Sequence, residues 1–148
     1  MYSNGIQSYR KTSVVTSDPV KLVIMCYEGA IDSLKLAKQK IIDKDYEAKA
    51  KAIIKALDII DELLCSIDFE KGGTIAKNLE ALYRYILSRI MYADLNKETD
   101  SIDEVIGMLA ELLSAWKEVA SRPYSEIQPE EEHFYEERSA MADRHVSV

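Results

Sequence analysis

Two cysteines, two histidines and a few paired acids are the residues on which chemistry would have to rest. Cys26 and Cys65 each sit alone inside a helical apolar pattern, which describes buried, reduced thiols rather than a redox pair. His133 and His145 both lie close to the C-terminus, outside the helical body, so no Cys/His metal spacing and no Ser/His or Cys/His nucleophile pairing forms within it. The Glu-x-x-His motifs of a di-iron bundle are missing. The acid pairs Glu28/Asp32, Asp58/Glu62 and Asp103/Glu104 resemble the clusters with which helical hydrolases bind Mg²⁺, but on a helical wheel they fall on polar ridges and read as solvated faces. Gly72-Gly73 is a candidate anion nest, yet a helix–helix turn explains it better. The expectation is a protein with no catalytic residue, no metal and no cofactor.

The elements that hold these residues read as four helices. Asp18 is an N-cap with Pro19 at the first helical position, where its missing N–H costs nothing. That helix is expected to run to Asp43. Asp45 caps a second, expected over Tyr46 to Asp68. Gly72-Gly73 then separates it from a third, expected over Thr74 to Leu95. Ser101-Ile102-Asp103-Glu104 has the spacing of a capping box and opens a fourth, expected over Ile102 to Ala120, with Pro123 to stop it. The short connections make consecutive helices antiparallel neighbours. The fold class is therefore all-α, an up-down-up-down four-helix bundle over residues 18–120. Residues 1–17 form a polar, flexible N-terminal arm. Residues 121–148 carry seven acids against three bases and are expected to be a disordered acidic tail.

Composition narrows the function. Five Gly and three Pro in 148 residues are too few for an all-β fold. The net charge of −7 argues against nucleic acid and against anionic membrane surfaces as partners. No apolar run is long enough to span a bilayer, and the start of the chain has neither a basic n-region nor an apolar h-region, so a cytoplasmic location is expected.

What remains is a binding module, and the width of the apolar stripes says where it would bind. On the second helix Ile53, Leu57, Ile60 and Leu64 make a narrow seam, with Ala56, Ile59 and Leu63 on a shoulder beside it. Lys51, Lys55, Asp58 and Glu62 form the opposite ridge. Leu87 and Met91 flank the inward residues of the third helix, and Met108 those of the fourth. Together Ala56, Ile59, Leu63, Leu87, Met91 and Met108 are the candidate lining of an apolar groove. In the arm, Ile6 and Tyr9 share one face of a helical turn.

The residues also resemble a known family, the FliS flagellar secretion chaperones. The matching stretches are Gly5-Ile6-Gln7-Ser8-Tyr9, the run from Ser17-Asp18-Pro19 to Tyr27-Glu28-Gly29-Ala30, and Ala56-Leu57-Asp58-Ile59-Ile60-Asp61-Glu62-Leu63. Asp68 to Leu79, which includes Glu70-Lys71-Gly72-Gly73 and Asn78, then Leu82-Tyr83 and Ala115-Trp116-Lys117, complete the set. Cys26 stands where the family more often has Leu. The resemblance implies a cytosolic bundle that holds the disordered C-terminal segment of flagellin in apolar grooves. It implies that the complex is passed to an export gate protein. It also implies that Ile6 and Tyr9 belong to an arm that plugs part of the groove and limits self-association. The alternatives are a dimerising adaptor for another helical partner, or an all-α Mg²⁺-dependent nucleotide hydrolase.

Overall fold

The computed structural model describes residues 18–122. Its elements are α1 (Pro19–Ile42), α2 (Tyr46–Cys65), α3 (Phe69–Asn96) and α4 (Asp100–Ser121), with no strand among the described residues. The helix starts follow from carboxylates placed to accept orphan N–H groups. Asp18 accepts from the N–H groups of Val20 and Lys21 at 3.1 and 3.2 Å, and Asp45 from that of Ala48 at 3.2 Å. The arm at 1–17 and the tail beyond residue 122 lie outside the described residues. The helices form one compact unit through Lys117; the last turn of α4, Glu118–Ser121, belongs to the chain's second unit.

Two boundaries differ from expectation for one reason. Asp68, expected inside the second helix, is instead the N-cap of α3, accepting from Glu70 and Lys71 at 3.1 and 3.0 Å. α2 therefore stops at Cys65, and α3 begins five residues early with a single turn, Phe69–Gly72. Gly73 then breaks the helical path with φ 52° and ψ −124°, a conformation that a Cβ disfavours. Gly72 has its own reason to be glycine, since a Cβ there would lie 2.6 Å from that of Ala76. The expected capping box also works differently. The Ser101 N–H donates backward to the Glu98 carboxylate at 2.6 Å, while Glu104 reaches across to α3. α4 accordingly starts at Asp100.

Cross-helix pairs fix the directions. α2 meets α3 through Lys49 and Asp94, whose Nζ and Oδ1 are 2.6 Å apart. α3 meets α4 through Arg89, which donates to Glu104 at 3.1 Å and to Ser101 at 2.7 Å, and through the Tyr85 hydroxyl, which donates to Glu104. α4 returns to α1 through Lys38–Asp103 at 2.8 Å and Lys117–Glu28 at 3.6 Å. Numbers that rise on one helix fall on its partner in both α1–α4 pairs, so these helices are antiparallel.

The core is continuous across all four helices. It holds Tyr27, Leu34, Ile53, Ile60, Ile86, Ile90, Val105 and Leu109, each almost fully buried. Polar atoms sit inside it as a satisfied set. The hydroxyls of Tyr27 and Tyr83 hydrogen-bond to each other. Burial pushes the pKa of both tyrosine hydroxyls above the ordinary phenol value, so both stay neutral. Partners from α1 and α3 must be level for this pair to close, which ties the register of two helices to two hydroxyls.

Candidate functional site

The two sides of α2 are the key to the surface. Starting from Lys49 opposite Asp94 and stepping equally along antiparallel helices, Ile53 comes level with Ile90, Ile60 with Tyr83 and Leu64 with Leu79. This side of α2 therefore meets α3. The other side meets α1, since the carboxylate of Glu62 acts on the buried thiol of Cys26. The thiol itself is pushed up to about 11, first by desolvation and then by that negative charge.

Ala56, Ile59 and Leu63 fall on the α1 side. They are buried, at 0, 1 and 5% exposure, within the core cluster. The sequence expectation that they line an open groove is corrected: in this structure they are core. Of the residues chosen as the inward seam, Ile53 and Ile60 are buried as expected, at 1 and 0% exposure, and the other two are displaced outward. Leu57 and Leu64 are only half-buried, and Ile54 beyond them is 46% exposed. The buried arc of α2 is rotated by roughly 70° from the seam drawn on the wheel. The rotation has a physical cause in Ala52 and Ala56 of α2 and Ala30 and Ala37 of α1, all buried. Small side chains let helices approach closely, which fits an alanine stripe at the centre of the buried arc with the larger residues beside it.

On α3, Arg89 and Tyr85 mark the side facing α4. Leu87 and Met91 project from the opposite side, toward α2. Leu87 is half-buried against the core and Met91 is 54% exposed. By register Leu57 is level with Ile86 and Leu87. An apolar flank therefore runs along the outside of the α2–α3 pair, formed by Ile54, Leu57 and Leu64 from α2 and Leu87 and Met91 from α3. Met108 is half-buried on the α4 side of α3 and does not join this flank. The sequence candidates thus separate into three buried residues, a pair on the flank and one beyond α3. Ile54 was missed. Its signal was the alanine stripe, which, taken as the buried centre, puts Ile54 on the outer edge.

Asp58 is also corrected. It was placed on the solvated ridge of α2, and it is buried at 6% exposure, while Lys51 and Lys55 of that ridge are exposed. Asp58 and Glu62 both have interaction partners. No three acids, histidines or cysteines converge as a metal site among the described residues, and no helix among them is long and apolar enough to cross a membrane. Ile6 and Tyr9 lie outside the described residues.

An all-α bundle with an open apolar flank and polar groups spent on internal pairing is the form of a protein-binding module. The model of the family described as "Flagellar protein FliS" matches residues 2–123 of the chain. The flagellar secretion chaperone FliS of Salmonella typhimurium is 37% identical over 128 residues, covering 82% of this chain and 95% of that protein. Those of Vibrio cholerae and Bacillus subtilis are 35 and 31% identical, each over 78% of this chain and over 88 and 85% of their own lengths. The chain belongs to the FliS family of flagellar secretion chaperones.

Proposed function

We propose that this chaperone binds the disordered C-terminal segment of flagellin, with the α2–α3 flank as part of its seat, keeps it from polymerising early and delivers it to the flagellar export gate in the cytoplasm. The observation that carries the reading is the flank itself: Ile54 and Met91 remain about half exposed beside half-buried Leu57, Leu64 and Leu87. Apolar side chains of an extended segment gain about 25 cal/mol per Å² on such a surface, while ordering the segment takes back much of that gain. The balance suits a client that must be held and then released. The arm, with Ile6 and Tyr9, is proposed to compete for the same surface. Removing residues 2–15 would then leave flagellin affinity equal or higher.

Calorimetric titration with the C-terminal segment of flagellin tests the reading. Binding is expected, with a negative heat-capacity change from apolar burial. It should weaken in Ile54→Ser and Met91→Ser. Absence of binding would overturn the flagellin assignment. Binding indifferent to both variants would move the seat elsewhere on the bundle.

A further inference from the structure

One carboxylate of α2 stands apart from its surroundings. Asp58 is 6% exposed and has an interaction partner. It lies in the middle of the outward side of the helix, among Lys51, Ile54, Lys55, Asp61 and Cys65, all of which are exposed. An ionised carboxylate held this far from water needs a cation and hydrogen-bond donors beside it. The ammonium of Lys51 turns the other way, toward Glu47 at 3.9 Å. Stepping along the antiparallel pair from Cys26 and Glu62, Asp58 comes level with Ala30 of α1. There α1 is small and shielded: Gly29 is half-buried, and Ser33 is buried with its hydroxyl donating to the Gly29 carbonyl at 2.8 Å.

The surroundings of Asp58 are acidic. Residues 19–34 of α1 carry Lys21 against Glu28 and Asp32, and residues 56–65 of α2 carry Asp58, Asp61 and Glu62 with no base. The adjoining parts of α3 and α4 do not offset this. Residues 69–80 hold Glu70 and Glu80 against Lys71 and Lys77, and residues 110–117 hold Glu111 against Lys117. Residues 1–17 have the opposite character: Arg10 and Lys11 are their charged side chains, and they contain no acid, in a chain whose net charge is −7.

The lengths agree with the charges. The chain enters α1 at Asp18, and Ala30 is twelve residues further on, about 18 Å along the helix. Arg10 is eight residues before Asp18 and can reach up to about 26 Å from it when extended. We propose that the basic pair Arg10-Lys11 latches the N-terminal segment onto Asp58, so that the segment crosses the outward side of α2 and lays Tyr9 and Ile6 on Ile54, one turn beyond, at the edge of the apolar flank. The inference rests on the reading that this segment competes for the flank, and it names the contact that holds it there. The buried carboxylate supplies direction and the two apolar residues supply area. Charge-assisted hydrogen bonds of this kind give the segment one place to return to after each release.

Hydrogen exchange of residues 1–17, followed by mass spectrometry on the full chain, tests the latch. The amides around Arg10 are expected to be protected at low salt and to lose protection as salt rises. Arg10→Gln with Lys11→Gln should speed their exchange about tenfold. Asp58→Asn should do the same, and the three changes together should be no faster than either alone, because both remove one interaction. The glutamine pair leaves the bundle folded, so the test stands even where Asp58→Asn lowers the melting temperature. Exchange at the unprotected rate in the natural chain, exchange untouched by the glutamine pair, or effects that add across the two sites would each overturn the proposal. Protection that rises with protein concentration would put the segment of a second copy on Asp58 and overturn it too. Flagellin takes no part in this readout, so failure of the flagellin assignment and failure of the latch are separate results.

Discussion

Helix α2 presents two apolar sides that differ in what they face. Toward α1 it offers Ala52, Ala56, Ile59 and Leu63, all buried. Toward the outer edge of α3 it offers Ile54, Leu57 and Leu64, none of them fully buried. The buried set, half of it alanine, is the less hydrophobic of the two, so hydrophobicity alone does not decide which becomes core. Alanine does. Where two helices both place alanines at a crossing, their backbones approach and neighbouring large side chains are sealed off. Where the partner contributes larger groups, the axes stand further apart and the outermost residues stay open. The open side is then free to meet another chain, and its exposure costs little stability because the fold never used it.

The largest expected effect breaks the α1 side of this comparison. Ile59→Asp places an uncompensated charge at 1% exposure, so it is expected to destabilise by about 4 kcal/mol or more and to lose the cooperative transition in urea. A variant that stays folded and fails only in flagellin binding would show that Ile59 is groove after all.

The same side responds to alkali. Folding holds the Cys26 thiol at about 11 against an unperturbed 9.0, so the neutral form is favoured in the folded state. Its contribution is complete below pH 9 and is lost as pH rises toward 11, because the unfolded chain gives up its proton first. The loss amounts to about 2–3 kcal/mol. Urea midpoints from pH 8 to 11 should fall more steeply in the natural chain than in Cys26→Ala. Parallel curves would mean that the thiol is not held neutral. Cys65, expected to be buried, is exposed at the last residue of α2, so it should react quickly with a thiol reagent in the folded protein, and buried Cys26 slowly.

Ala56→Leu tests the alanine argument itself. Three added carbons on a residue of 0% exposure push α1 and α2 apart, for an expected loss of about 1–3 kcal/mol by urea denaturation. The same change at exposed Ala110 of α4 should fall within about 0.5 kcal/mol of neutral.

Much of this architecture was legible beforehand, and the exceptions share a physical origin. Asp18-Pro19 and Asp45 mark their helix starts because a carboxylate accepting an N–H is a local event. Ile53 and Ile60 of the inward seam are buried as period and size require. Asp68 misled because a cap inside an apolar-periodic stretch has the same spacing as an exposed helical acid. Ser101 and Glu104 misled because the box spacing is also the spacing of a side chain that crosses to Arg89. The face of α2 misled because a wheel ranks alanine below leucine, whereas a close helix crossing needs small residues on both helices. Each is a case in which the deciding partner sits on another helix. Sequence spacing on one helix carries no information about it.

The smallest expected effect on stability sharpens the open side. Ile54→Ser and Met91→Ser remove apolar groups that are already 46 and 54% exposed. An exposed side chain has little transfer energy left to lose, so each change should shift the urea midpoint by no more than about 0.5 kcal/mol equivalent. Binding is another matter. A flagellin segment seated on this flank would bury the same atoms against its own apolar side chains, and a hydroxyl placed there would be desolvated without a partner. The expected result is a several-fold loss of affinity per variant with an unchanged melting curve. The opposite pattern, with stability lowered and affinity intact, would mean that Ile54 and Met91 complete the core and that the open side of α2 lies elsewhere. The double variant adds a further reading. Ile54 and Met91 come from different helices, so losses that add would show two independent anchors. A double loss no greater than either single one would place both residues under one anchoring side chain of the segment.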